Sequence, residues 1–234
     1  MQLPEGEVHL WRARADLPEE WRQRFRETLT AEELALAERL RAERDRERYV
    51  CAQGVLRDIL ARYAGVGVRE IAYRRNEYGK PDLSDGLAPW LRFNLTHSHD
   101  EVMVAVVRDR EIGVDIEYIA SDRPLRKLIG RFFSEVEVEA FQGVPEEELP
   151  ELFYTSWTRK EAYVKARGVG LRFGMRRFAM TVGGDKPALL HVEGEPEEPG
   201  RWTVLSLDVA PEFRAALVVE GRGVAVQNYV WPAQ

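Results

Sequence analysis

The sequence predicts an α+β fold: a pseudo-dimeric monomer of two similar α+β subdomains, residues 1–110 and 111–234. Three observations carry that expectation. The length of 234 residues suits two small domains of roughly 100 to 120 residues each. Each half contains a helix opened by a capping box and then turns to apolar, strand-like runs. The halves also close on similar runs, VMVAVV at 102–107 and AALVV at 215–219.

Taken in order, Glu7 to Ala13 has the composition of a short opening strand, and Leu17 to Leu29 is Arg-rich and reads as a short helix or turn. Thr30 to Tyr63 is a long helical stretch that admits a break. Thr30 and Glu33 form its capping box, and Gly65 and Gly67 end it. A loop with Asn76, Gly79 and Pro81 follows, then strands at Phe93–Leu95 and Val102–Val107. The charged joint RDRE, 108–111, separates the halves. Beyond it come a strand at Ile112–Ile119, a helix at Arg126–Phe133, and a helix opened by Ser134 and Glu137. A further helix spans Leu149–Arg167 and ends at Gly168. Strand-like pieces then dominate at 177–182, 188–192, 202–209 and 213–219.

With 44% hydrophobic residues the chain can build a core. A net charge of −6 gives no overall basic field for nucleic acid or an anionic membrane, so an anion site must come from a few convergent cations. No apolar run approaches the ~18 residues of a membrane span, and Met1 to Trp11 lacks the pattern of a secretory signal. A cytoplasmic protein is expected. Cys51, the single cysteine, sits among Tyr49, Val50 and Val55 and reads as a buried free thiol.

Four pieces could carry chemistry. In the strand Gly113-Val114-Asp115-Ile116-Glu117, alternation sends Asp115 and Glu117 to one face and Val114 and Ile116 to the other. Paired hard oxygen ligands at this spacing suit Mg²⁺, and a solvated face of an edge strand would look the same. On the 149–167 helix, Phe153, Trp157 and Val164 share an apolar stripe that Glu161 borders, with Lys165 one turn on. Glu161 could be a third metal ligand or a base and Lys165 could hold a phosphate, or the two form an ordinary surface pair. His97, in FNLTHSHD, follows a strand amid hydroxyl groups. It could bind phosphate, ligate zinc with His99, or cap a turn. Tyr78-Gly79-Lys80-Pro81 is a turn that presents one lysine.

Together and in this order, the pieces resemble the 4′-phosphopantetheinyl transferases of the surfactin-synthetase type. The matching segments are YGKP at 78–81, FNLTHS at 93–98, GVDIE at 113–117, RFFS at 131–134 and WTRKEAYVKARGVGL at 157–171. The resemblance implies transfer of phosphopantetheine from coenzyme A to a serine of an acyl or peptidyl carrier protein, with Mg²⁺, releasing adenosine 3′,5′-bisphosphate. It implies that Asp115, Glu117 and Glu161 hold the metal against the pyrophosphate. Lys165 would contact that pyrophosphate, with His97 and Thr96 at the coenzyme phosphates. Lys80 falls near the adenosine end and Arg48 near the 3′-phosphate. Glu161 would serve as general base, directly or through a water. Where some relatives carry lysines before the long helix, this chain reads TAEELALAERLRAER and offers Arg39, Arg41 and Arg44. An acidic carrier would meet arginines chosen among Arg123, Arg126, Arg131, Arg172, Arg176 and Arg177. Two other classes compete. A metal-dependent nuclease usually places its lysine two residues after its acid on a strand, whereas Lys165 is four after Glu161 on a helix. A non-catalytic carrier-binding module would be free to lose the carboxylates.

Overall fold

A computed structural model describes residues 1–84, 86–170 and 173–232. The chain forms two compact units, and its class is the expected α+β. Met1–Arg75, Pro81–Asp109 and the chain from Ala225 onward make the first; Asn76–Lys80 and Arg110–Val224 make the second. The crossing at 109–110 falls within the RDRE joint. The last strand, which the sequence places with the second half, groups with the first unit.

The first unit contains β1 (Glu7–Arg14), α1 (Glu19–Arg26), α2 (Ala31–Glu38), α3 (Glu43–Ala64), β2 (Tyr73–Arg75), β3 (Pro81–Leu83), β4 (Leu91–Ser98) and β5 (Glu101–Arg108). β5 is apolar because it lies inside a four-stranded sheet, between β1 and β4, with residues 102–107 all buried. α3 packs Val55, Ile59 and Leu60 into the same core as Phe93, Val104 and Val106. The break in the long helical stretch falls at Arg39–Ala42, where Ala42 is extended and α3 starts afresh. The Thr30 box forms as expected: Thr30 N donates to Glu33 Oε2 at 2.7 Å, and Glu33 N donates to Thr30 Oγ1 at 3.3 Å. The same Glu33 carboxylate is buried against Arg57 of α3 at 2.8 Å, a pairing of α2 with α3 that local sequence does not announce. Cys51 is fully buried, and burial pushes its thiol up to about 11, which makes it unreactive.

At one edge β1 carries a parallel partner from the chain's end, residues Ala225–Val230. Its Tyr229 stacks on Trp11 at 4.8 Å. Beneath it, Trp11 Nε1 donates to the Tyr63 hydroxyl at 2.9 Å. That hydroxyl is also hydrogen-bonded to His9 Nδ1 at 2.7 Å, and His9 Nε2 faces Glu7 at 3.4 Å. Burial lowers the pKa of the imidazole although Glu7 pulls the other way. Because the folded-state pKa lies below the ordinary histidine value of 6.5, the stability held at His9 is complete above that value. It drains as pH falls from there toward the folded pKa. Wild-type melting temperature is expected to drop on acidification below about pH 6.5, more steeply than that of His9→Phe. Parallel pH profiles of the two proteins would show that His9 carries no such linkage.

The second unit contains β6 (Ile112–Tyr118), α4 (Leu125–Phe132), α5 (Glu135–Ala140), α6 (Leu149–Arg167), β7 (Phe178–Met180), β8 (Leu189–Val192), α7 (Glu198–Arg201), β9 (Trp202–Leu207) and β10 (Phe213–Glu220), with β11 (Ala225–Val230) following in the first unit. β10, the AALVV strand, is central in an antiparallel sheet of order β6-β10-β9. α6 lies across β6 so closely that only glycine fits at 113. A Cβ there would stand 2.1 Å from the Ala162 carbonyl oxygen and 2.4 Å from Ala166 N. Gly168, at φ +67°, ends α6 in the left-handed conformation, its N–H donating to Val164 O and Lys165 O. The Ser134 box recurs at α5: Ser134 N donates to Glu137 Oε2 at 2.8 Å. Glu137 is again buried and paired with a cation of the long helix, here Lys160. Each unit thus repeats one device, a capping-box glutamate inside the core that binds the helix over the sheet.

Candidate active site

The contact at Gly113 fixes the parity of β6. Since residues two apart share a face, Asp115 and Glu117 lie on the side that meets α6, with Asp115 only 4% exposed. Val114 and Ile116, both buried, take the opposite side. A solvated face therefore does not describe Asp115. Lys165 reaches from α6 to Asp115, its Nζ donating to Oδ1 at 2.6 Å and to the Val114 carbonyl at 3.3 Å. Asp115 Oδ2 is shut off from solvent.

Glu161, one turn before Lys165, feels all of these charges. Burial pushes its carboxyl up to about 7, the Asp115 charge adds to this, Lys165 opposes it, and Glu117 adds a smaller push. Three carboxylates from β6 and α6 thus converge electrostatically around one ammonium group. Like charges gathered in a partly desolvated place are costly unless a cation joins them. Their all-oxygen chemistry fits a hard divalent ion such as Mg²⁺. Among the described residues, however, no three acid, histidine or cysteine side chains stand already arranged as a metal cage. As the side chains lie, Lys165 is the cation hydrogen-bonded to Asp115.

A cavity of about 540 Å³ opens beside Glu161. Phe153 and Trp157 of the stripe read from the sequence line it, stacked at 5.7 Å, and Phe132 of α4, which the sequence did not place there, meets Trp157 edge-on at 5.5 Å. Arg123, Arg131 and Arg176 line it as well. Arg126 is instead engaged with Glu146 and with the carbonyls of Phe141 and Val144, and Arg177 pairs with Glu193. Arg172 and Leu171 lie outside the described residues.

Other expected residues sit in the first unit. Thr96 is buried in β4 and His97 is exposed next to it, facing Val102 across the hairpin. The hairpin turn is His99–Asp100, with His99 at φ +54°. Arg48 Nε donates to Asp100 Oδ1 at 2.7 Å and Arg44 donates to Oδ2 at 2.8 Å, so α3 brings two guanidinium groups to the hairpin that carries His97. Asp100 raises the Arg48 pKa, and Arg48 in turn lowers that of Asp100. Of Arg39, Arg41 and Arg44, the arginines that the sequence offers here, Arg44 joins this cluster, through an ion pair that the sequence did not single out.

Lys80 belongs to the second unit. Its Nζ donates to Glu111 Oε2 at 2.6 Å, to Ala166 O at 2.8 Å and to Ile112 O at 3.3 Å. Asn76, which the sequence marks only as a loop residue, donates from Nδ2 to Gly168 O at 2.8 Å.

Comparison with known proteins places the chain in a family. The profile of the 4′-phosphopantetheinyl transferase superfamily matches residues 111–218, and that of the 4′-phosphopantetheinyl transferase N-terminal region matches residues 11–109. The 4′-phosphopantetheinyl transferase HetI of Nostoc sp. is 35% identical over 95% of this chain and 92% of its own. The transferase psf-1 of Bacillus pumilus is 30% identical over 80% of this chain and 76% of its own. Sfp of Bacillus subtilis is 25% identical over 86% of each chain. The chain belongs to the 4′-phosphopantetheinyl transferase family and is an enzyme of that class. With HetI more similar than Sfp, the family is what is shown, rather than its surfactin-synthetase type. Among the described residues no helix is long and apolar enough to cross a membrane.

Proposed function

We propose that the chain moves the 4′-phosphopantetheine group of coenzyme A onto a serine hydroxyl of an acyl or peptidyl carrier protein, with Mg²⁺, and releases adenosine 3′,5′-bisphosphate. It would do so as a cytoplasmic monomer. The observation that carries this reading is geometric: Asp115 and Glu117 on the face of β6 that meets α6, Lys165 of α6 bonded to Asp115, and Glu161 one turn before it lining an aromatic-walled cavity.

In the reaction, the serine oxygen forms a bond to the β-phosphorus while the bond from that phosphorus to the bridging oxygen breaks. The hydroxyl proton passes, directly or through a water, to the Glu161 carboxylate oxygen not engaged with the ion, and the bridging oxygen leaves with adenosine bisphosphate. Asp115, Glu117 and Glu161 would hold the Mg²⁺. When bound, that ion supplies charge neutralisation on the pyrophosphate. Lys165 would turn from Asp115 and the Val114 carbonyl to place its ammonium on a phosphate oxygen, and its side chain is 29% exposed on a flexible stem. His97 and Thr96 offer hydrogen bonds to phosphate, and Arg48 offers charge to the 3′-phosphate in exchange for Asp100. Arg123, Arg131 and Arg176 would meet the acidic surface of the carrier, and the aromatic wall would take its apolar side chains.

The test mixes the protein with coenzyme A, Mg²⁺ and an apo-carrier and follows the carrier's mass. One added phosphopantetheine is expected, and its abolition by a chelator. An unchanged carrier across acyl and peptidyl types refutes the proposal.

A further inference from the structure

We propose that Lys80, together with Asn76, is a positioning residue: the 76–80 loop clamps the end of α6 to the start of β6 and so sets the spacing of Asp115, Glu161 and Lys165. This rests on the reading above and concerns how its site is held.

The argument begins with donors. An ammonium has three N–H bonds. Those of Lys80 face Glu111 Oε2, Ile112 O and Ala166 O, leaving no direction for a coenzyme oxygen without breaking a bond already made. Two of these acceptors open β6 and the third ends α6. One nitrogen thus joins the strand that carries Asp115 and Glu117 to the helix that carries Glu161 and Lys165. It does so at a helix C-terminus, where carbonyls lack intrahelical partners and the dipole favours a cation.

The loop is itself built for that task. Asn76 Oδ1 accepts from Tyr78 N at 3.0 Å and from Lys80 N at 2.9 Å, which fixes the path of the loop. Asn76 N donates to Lys80 O at 3.1 Å, closing it. Asn76 Nδ2 then satisfies Gly168 O, the next exposed carbonyl at the end of α6. The approach is tight: a Cβ on Gly168 would lie 2.9 Å from Lys80 Cδ and 3.0 Å from Asn76 Nδ2. The Gly113 contact sits on the same stretch, against Ala162 and Ala166. Helix and strand therefore meet at a close-packed contact with the clamp beside it. Loosening the clamp lets α6 slide on β6, and the acid cluster lies two to four residues along that seam.

Lys80→Met, which keeps the aliphatic stem, and Asn76→Ala, which has no charge to offer a phosphate, are assayed in the full chain. Turnover on coenzyme A, Mg²⁺ and apo-carrier is compared with coenzyme A affinity from calorimetry. Lys80→Met is expected to lower kcat by about tenfold to a hundredfold, the scale of a misplaced reacting group, with the coenzyme A Kd moving less than about threefold. Asn76→Ala is expected to lower kcat in the same direction, and the amides near Gly168 to exchange hydrogen faster in both. A tenfold rise in Kd for Lys80→Met, or a kcat unchanged in either variant, overturns the clamp. If Lys80→Met fails to fold, the kcat and Kd of Asn76→Ala decide alone. Absence of transfer by the wild type would sink the proposed reaction instead, and hydrogen exchange at the end of α6 would still read the clamp.

Discussion

Replacing Asp115 by Ala is expected to lower phosphopantetheine transfer by about 10³-fold or more, equivalent to roughly 4 kcal/mol of lost transition-state stabilisation, while the fold stands. Asp115 is the buried member of the acid cluster and the direct acceptor of Lys165, so on the proposed reading its loss would disorganise both the metal-holding and the phosphate-holding sides of the site. The fold should survive because the cluster is a cost to it. Burial, and after it the charge of Asp115, pushes Glu161 up to about 7, so removing that charge relieves repulsion. Lys165, partly exposed, returns to water without leaving a buried unpaired charge. Activity falling without stability falling is the signature of a strained functional site. Glu161→Gln should behave alike, since it keeps the volume and removes the proton acceptor. Carrier mass spectrometry paired with a melting curve checks both variants. Turnover by Asp115→Ala within tenfold of wild type would mean that the acid cluster has been misread.

The parts of this site that were legible in the sequence are those whose order is local. α6 falls on Leu149–Arg167 as expected because its apolar stripe and the stop at Gly168 lie within one segment. β6 is legible because alternation alone divides Asp115 and Glu117 from Val114 and Ile116. Three-residue strands have no period to read, so the β2–β3 hairpin passed as a loop. β11, AVQNYV, is half-polar because it forms an exposed edge, and it carries too little hydrophobic contrast to announce itself. The least legible features are pairings across the chain. Lys80 meets Ala166 across 86 positions, and Arg48 meets Asp100 across 52. Resemblance of the YGKP turn to its family directs Lys80 toward the coenzyme. Only the acceptors around its ammonium, which no local pattern encodes, point it to the end of α6.

The largest expected effect on stability lies next to the site, at Glu137 and Lys160. Both are essentially fully buried. Lys160 Nζ donates to both Glu137 oxygens, at 2.9 and 2.7 Å, and to Phe178 O at 2.8 Å. It also lies 4.0 Å from the centroid of the Phe178 ring. Glu137 further accepts from Ser134 N, Ser134 Oγ and Met180 N. One carboxylate therefore ties the start of α5, the middle of α6 and strand β7. Burial draws the Lys160 ammonium below its ordinary pKa, and Glu137 holds it charged. Glu137→Ala strips the cation of its counter-charge and orphans three further donors, so a loss of about 3–5 kcal/mol is expected. For a chain of this length that is a fall in melting temperature of roughly 6–20 °C. The double variant Glu137→Leu/Lys160→Met should lose less than the two single losses combined, because it leaves no lone charge behind. Glu33→Ala in the first unit, which strands Arg57 in the same way, is expected to cost a similar amount. Additive losses in the double variant, or a loss under about 1 kcal/mol for Glu137→Ala, would show that the capping-box glutamates seal helix ends without holding the long helices over their sheets.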